Sequence, residues 1–252
     1  MMQKPPQIFR LAFILSVVAL IASVALNAIL FVAARHYYLL LNQTRLDPLG
    51  LSYFSGKDKQ SGVSNSSAKT VVFFGDSRAE EWDFPDDIKG FSFVNRGITG
   101  QTSTQVLARF DKQILPLRPK IVVVQVCIND LKTIPLFPYQ KASIIANCKA
   151  NIQEIVKRSQ SVGATVILTT IFPVGNVPLA RKPFWSSDVD RAIVEVNSYI
   201  SSLQAPNVII LDSYLLLAEN GKNKYELDTL HLNDKGYEIL NQELTKILTK
   251  LQ

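Results

Sequence analysis

Residues 69–77 read KTVVFFGDS, an apolar run that ends in a glycine and two polar residues. A run without polar alternation is typical of a strand buried on both faces, as parallel strands covered by helices are. Further apolar runs of strand length are residues 91–94, 121–126, 165–171 and 208–211. The sequence therefore predicts five buried strands between residue 69 and the C-terminus.

The segments between these runs carry apolar residues at intervals of three and four, the period of an amphipathic helix. One such stripe consists of Ile145, Cys148, Ile152 and Ile155, and another of Val189, Ile193, Val196 and Ile200. Alternating strands and helices predict a three-layer α/β/α doubly wound domain, flavodoxin-like, with a five-stranded parallel sheet. We expect this domain at residues 69–252.

The N-terminal region predicts a membrane segment, because residues 11–34 contain no charged side chain. A helix of that length is roughly 36 Å long, enough to cross a hydrocarbon layer of about 30 Å. We interpret it as an uncleaved transmembrane signal-anchor helix after a short tail at residues 1–10. A cleavable signal peptide is the alternative, but its apolar region is usually about 7–15 residues. Residues 35–68 are predicted to be a juxtamembrane segment followed by a serine-rich tether at residues 55–68.

The net charge of +6 is concentrated near this segment. Residues 1–68 carry 6 Lys or Arg and 2 Asp or Glu, whereas residues 69–252 carry 21 and 19. This balance argues against nucleic-acid binding by the domain. The basic residues beside the predicted membrane span can interact with anionic lipid headgroups. The free N-terminal amine slightly favours a cytoplasmic N-terminus, which puts the domain on the extracytoplasmic side, periplasmic or extracellular.

Polar residues follow the predicted strands at their carboxyl ends, where open parallel sheets bind ligands. Ser77 follows the first strand, Asn129 the third, and Asp228 and His231 come after the fifth. An acid three residues before an imidazole can hold its Nδ1 and leave Nε2 free for a partner. Two interpretations stay open at this stage. These residues are a helix cap and a surface turn, or they are the nucleophile, base and acid that acyl transfer requires.

These blocks, in this order from the first strand to the C-terminus, resemble those of the SGNH (GDSL) hydrolase family. The resemblance implies that Ser77 is the nucleophile, His231 the base and Asp228 the triad acid. It also implies an oxyanion hole made by the backbone N–H groups of Ser77 and Gly100 and the side chain of Asn129. Such chemistry needs no metal and no cofactor.

Two residues depart from the family pattern. Cys127 stands where the third block commonly has glycine, and Arg78 follows the serine where leucine or isoleucine is more usual. Three basic residues near these blocks either bind an anionic substrate or are solvated surface charges; they are Arg78, Arg96 and Lys132. Two cysteines are too few for a disulfide scaffold or a thiolate zinc site, and a Cys127–Cys148 bridge stays open.

The function we expect is a membrane-tethered serine ester hydrolase that forms an acyl-enzyme on a small-molecule, glycan or lipid ester. The alternatives are an acyltransferase or polysaccharide O-deacetylase with the same triad, and a non-catalytic tethered binding domain. Residues 172–187, rich in proline and aromatic residues, are predicted to form a wall or lid of the substrate site.

Overall fold

The computed structural model describes residues 7–54, 68–85, 88–218 and 224–252. The chain divides into two compact units, one up to Pro48 and one from Leu49 to the C-terminus. The predicted tether, residues 55–68, lies outside the described residues apart from Ala68.

The first unit is a single described helix, α1, which spans Gln7–Leu46 and buries none of its residues. Its composition fits a membrane span, with a mean hydropathy of 2.6 in an 18-residue window. The polar side chain of Asn27 bonds within the helix, donating from Nδ2 to the Ser23 carbonyl oxygen over 2.8 Å. Helix α1 is longer than the predicted span at 11–34 because the adjoining residues contain no glycine or proline to end it before Pro48.

Five parallel strands form the sheet of the second unit. They are β1 (Lys69–Gly75), β2 (Phe91–Gly97), β3 (Ile121–Gln125), β4 (Thr165–Thr169) and β5 (Val208–Leu211). Their order is β2-β1-β3-β4-β5, so the switch point of a doubly wound sheet lies between β1 and β3. The buried Val72 of β1 pairs with Val94 of β2 and Val122 of β3. The predicted fold class is confirmed.

Helices cover both faces of this sheet. In chain order they are α2 (Ser77–Glu80), α3 (Ser103–Ala108), α4 (Phe110–Gln113), α5 (Ile128–Leu131), α6 (Lys141–Ser161), α7 (Ser187–Ser202), α8 (Ser213–Ala218) and α9 (Asp234–Thr249). On one face α3, α6 and α7 bury Val106, Ile152 and Ile193 in a common core. On the other face α8 and α9 bury Leu217 and Leu244. Each apolar stripe faces the sheet, which produces the three layers.

The second compact unit includes residues 49–54, which precede its first strand. The carbonyl oxygen of Leu49 accepts a hydrogen bond from Gln101 Nε2 at 2.9 Å. Phe54 lies under the guanidinium of Arg96, 4.6 Å from ring centre to cation. Because these partners are distant in sequence, the local composition of residues 49–54 does not reveal the contact.

Candidate active site

Ser77 lies where β1 leaves the sheet, in the first turn of α2, and is 4% exposed. The turn begins at Gly75, where an added Cβ would be 1.8 Å from the Gln125 carbonyl oxygen, so only glycine fits between β1 and β3. Asp76 caps α2 by accepting a hydrogen bond from the Arg78 N–H at 3.0 Å. Burial raises the pKa of Asp76 to about 6, although the charge of Arg78 opposes the shift.

Three of the predicted site residues form a continuous chain of contacts. The Oγ of Ser77 is 3.0 Å from Nε2 of His231. On the other side of the ring, Nδ1 of His231 is 2.9 Å from Oδ2 of Asp228. This arrangement gives the hydroxyl a base and gives the base an oriented carboxylate.

The Asp228 carboxylate is held by its own turn as well as by the imidazole. Its Oδ1 accepts hydrogen bonds from the backbone N–H groups of Leu230 at 2.6 Å and His231 at 2.9 Å. Partial burial opposes ionisation, but these bonds and that from the His231 ring outweigh it and lower the pKa of Asp228 to about 2. Asp228 is therefore a carboxylate at neutral pH and can accept a hydrogen bond from the Nδ1–H group of His231.

A second carboxylate near the imidazole was missed by the sequence analysis. Glu81 Oε1 is 3.8 Å from Nε2 of His231, and desolvation raises the pKa of Glu81. Its position, one helical turn after Ser77, was the only signal in the sequence.

Besides Ser77, the predicted oxyanion residues are Gly100, which follows β2, and Asn129, which follows β3. These two strands lie on either side of β1. Asn129, in α5, donates from Nδ2 to the Gln101 carbonyl oxygen at 3.0 Å, and its Oδ1 accepts a hydrogen bond from Lys132 Nζ. These two partners determine the orientation of the Asn129 amide, because a carbonyl oxygen can only accept and an ammonium can only donate. One N–H of the Asn129 side chain has no partner within the described chain. Gly100 has a φ of 79°, and its N–H, like that of Ser77, has no partner among the described residues.

A hydrogen-bond network joins the loops that carry these donors. The carboxylate of Asp130 accepts from the Ser103 N–H at 2.8 Å and from the Ser103 Oγ at 2.7 Å. Asn151 of α6 donates to the same Ser103 Oγ at 2.9 Å. The loop after β3 is thereby fixed to α3 and α6.

Comparison with known proteins assigns the chain to a family. Residues 69–239 match the model of the GDSL-like Lipase/Acylhydrolase family. The chain belongs to that family. It is accordingly an ester-hydrolysing enzyme, and family membership argues against the alternative of a non-catalytic binding domain.

Solved structures share the fold of this acylhydrolase. A GDSL-like lipase from Bacteroides thetaiotaomicron VPI-5482 is 24% identical and superimposes with a TM-score of 0.65, covering 81% of this chain and 99% of its own. A lipase from a goat rumen metagenome is 14% identical, with a TM-score of 0.57 and coverage of 71% and 97%. An acetylxylan esterase from Geobacillus stearothermophilus is 18% identical, with a TM-score of 0.53 and coverage of 71% and 94%. Curated protein sequences gave no match.

Arg78 of this acylhydrolase is neither solvated nor placed to read a substrate anion, because it is completely buried. Its Nε donates to the Leu230 carbonyl oxygen at 2.6 Å, and its Nη1 donates to that of Phe172 at 3.3 Å. The guanidinium also lies 4.9 Å from the centre of the Phe172 ring. Burial lowers the pKa of Arg78 to about 10. Arg78 therefore links the serine helix to the loop that carries His231. Arg96 is buried as well, at 4% exposure.

A cavity of about 370 Å³ borders Asp228. It is lined by Asn176, Pro178, Glu226, Leu227, Asp228 and Thr229. The predicted wall at 172–187 contributes two of these residues, while its Trp185 packs partly buried against the core. No group of His, Cys, Asp or Glu side chains suited to a metal ion occurs in the part of the chain that the structure describes.

Proposed function

We propose that this acylhydrolase cleaves esters through a Ser77–His231–Asp228 triad and an acyl-enzyme. Ser77 Oγ attacks the ester carbonyl carbon as its proton passes to Nε2 of His231. The N–H groups of Ser77, Gly100 and Asn129 stabilise the tetrahedral oxyanion. The ester C–O bond breaks, and His231 returns the proton to the leaving alcohol. Water then gives a proton to His231, attacks the acyl group and releases the acid, and Ser77 regains its proton.

The observation that carries this proposal is the unbroken contact from carboxylate to imidazole to hydroxyl, 2.9 Å and then 3.0 Å. A surface turn that only caps α9 needs no such contact, since Asn233 already caps that helix by accepting from the Gly236 N–H at 3.1 Å. Asp228 is thus available to the imidazole.

The test is labelling of the full-length, detergent-solubilised protein by a fluorophosphonate probe, with hydrolysis of p-nitrophenyl esters of increasing chain length alongside. We expect Ser77→Ala to abolish labelling and to remove turnover on every ester of the series. Ser213→Ala is the matched control, because Ser213 is also a buried serine at a helix start but has no histidine contact in the described chain. Undiminished labelling of the Ser77 variant would exclude the mechanism.

The membrane and its side are a further part of the proposal. We propose that α1 anchors the enzyme in a membrane with its catalytic domain on the extracytoplasmic side. Support comes from the apolar helix and from the bonded cysteines Cys127 and Cys148, because disulfides persist in oxidising compartments. Protease added to spheroplasts, whose outer envelope has been opened but whose cytoplasmic membrane is intact, should digest the domain. Protection of the domain until the cytoplasmic membrane is permeabilised would contradict this orientation.

Small-molecule, glycan and lipid esters are all within the proposed chemistry. Removal of acetyl groups from a polysaccharide is a second candidate, favoured by the likeness to an acetylxylan esterase. Acetate release from acetylated xylan, lost in Ser77→Ala, tests that candidate, and transfer to an added sugar acceptor would instead identify an acyltransferase.

A further inference from the structure

Cys127 has a backbone conformation that ordinarily favours glycine. Its φ is 91° and its ψ is −20°, in the left-handed region. An L side chain is disfavoured there because Cβ approaches the following carbonyl oxygen, whereas glycine adopts the conformation freely. The described chain contains one other non-glycine residue of positive φ, Arg118, which ends a short helical turn. At position 127 something other than intrinsic preference must hold the backbone.

The side chain of Cys127 supplies that restraint, because its sulfur is bonded to that of Cys148. Both cysteines are completely buried, and their Cα atoms are 5.9 Å apart. Cys148 belongs to α6, a helix of 21 residues that buries Ile145 and Ile152 on either side of it. The bond therefore ties the end of β3 to a rigid, packed element.

The conformation of Cys127 determines where Asn129 lies. Cys127 is the N-cap of α5, and its carbonyl oxygen accepts hydrogen bonds from the N–H groups of Asp130 and Leu131, each at 3.0 Å. Asn129 lies between Cys127 and Asp130, in the first turn of α5. A change of φ at Cys127 would rotate this turn and carry the Asn129 amide away from the Gln101 carbonyl oxygen.

We propose that the Cys127–Cys148 disulfide is a positioning element for the oxyanion donor Asn129. It holds, in a residue other than glycine, the backbone conformation that points the amide at the reacting carbonyl. This inference rests on the proposed function, because it assigns the disulfide to the transition state of ester hydrolysis and not only to stability.

A matched pair of variants of the full-length enzyme tests the inference. Both double variants, C127A/C148A and C127G/C148A, lack the disulfide. They differ only by the Cβ methyl group of residue 127, and a Cβ atom already fits there in the wild-type cysteine. We expect C127A/C148A to lose roughly tenfold in kcat with KM unchanged, since a misplaced donor weakens only the transition state. We expect C127G/C148A to recover kcat to within about threefold of wild type, although both variants melt at a lower temperature than wild type.

A third arm identifies Asn129 as the route of the effect. In an Asn129→Ala background, which should itself lower kcat by about 10²–10³, the difference between alanine and glycine at position 127 should vanish. If the double variants fold poorly, the single variants Cys127→Ala and Cys127→Gly repeat the comparison with Cys148 kept.

Equal kcat values for the alanine and glycine variants would overturn the inference and leave the disulfide a purely stabilising bond. Two free thiols in the freshly isolated, denatured wild-type protein would overturn it directly. Failure of the proposed function has a different signature, because Ser77→Ala would then keep its activity whatever residue occupies position 127.

Discussion

The two sides of the proposed site are built differently. On the base side, Asp228 and His231 are three residues apart, and the contact between them is made within one turn. Their side chains are 49% and 24% exposed. On the oxyanion side, Asn129 is 4% exposed and is reached by Gln101 from the neighbouring loop and by Lys132 from its own.

The difference teaches which part of the site depends on local sequence and which on the fold. On the base side the contact between the acid and the imidazole is made by bonds within one turn, and Arg78 joins that turn to the serine helix. The oxyanion side depends on contacts between β2, β3, α3 and α6 that form only when the sheet is complete. Substitutions on the base side should therefore act on chemistry alone, whereas those on the oxyanion side should also change loop geometry.

The largest effect in this comparison is expected from Asp228→Asn. An amide at this position cannot hold the Nδ1 proton as the carboxylate does, so the imidazole loses the tautomer that accepts the Ser77 proton. We expect kcat to fall by about 10⁴ with the fold intact. Steady-state hydrolysis of a p-nitrophenyl ester measures the loss, and thermal unfolding checks the fold.

The matched control is Asp212→Asn. Asp212 follows β5 and accepts hydrogen bonds from Thr170 Oγ1 at 3.0 Å and the Leu215 N–H at 3.1 Å, with no histidine contact in the described residues. Its replacement should leave kcat within about threefold of wild type, because its bonds are structural. A loss below tenfold in Asp228→Asn would break the comparison, since the base side would then work without its carboxylate.

Much of the fold was predictable because buried parallel strands have a distinctive composition. The runs around Val72 and Val122 contain almost no polar residue, and both are central strands in the sheet. The turn after β1 was predictable because Gly75 allows the chain to turn sharply out of the strand. The structure adds that the Gln125 carbonyl oxygen occupies the space that a side chain at residue 75 would need. The contacts of residues 49–54 with the sheet domain could not be predicted, because their partners Gln101 and Arg96 are distant in the sequence.

The roles of the buried charges could not be predicted from sequence. Arg78 bonds to carbonyl oxygens 94 and 152 residues away in the chain, and no local pattern encodes those partners. Arg109 is likewise completely buried and donates to the Gly75 carbonyl at 2.8 Å, and burial lowers its pKa to about 9. The Cys127–Cys148 bond was left open because spacing alone does not fix a distance between two sulfurs.

Lys132 offers the finest probe of the oxyanion side. Its Nζ donates to Asn129 Oδ1, which keeps the amide nitrogen directed away from the lysine and adds a positive charge near the developing oxyanion. Burial lowers the pKa of Lys132 below the ordinary lysine value, so the ammonium loses its proton at a lower pH than an exposed lysine does. The charge-assisted hydrogen bond is therefore weakened as the pH rises through that lowered pKa.

We expect Lys132→Met to lower kcat about tenfold at neutral pH, the scale of one charge-assisted hydrogen bond. In a cycle with Asn129→Ala, the double variant should be no slower than Asn129→Ala alone, because the lysine acts through the amide. Lys132→Arg, which keeps its charge at every accessible pH, should retain kcat on the alkaline side where the wild type declines. Additive losses in the cycle would show that Lys132 acts independently of Asn129. The contrast between the two sides would then be lost, because the oxyanion side would not depend on contacts between its residues.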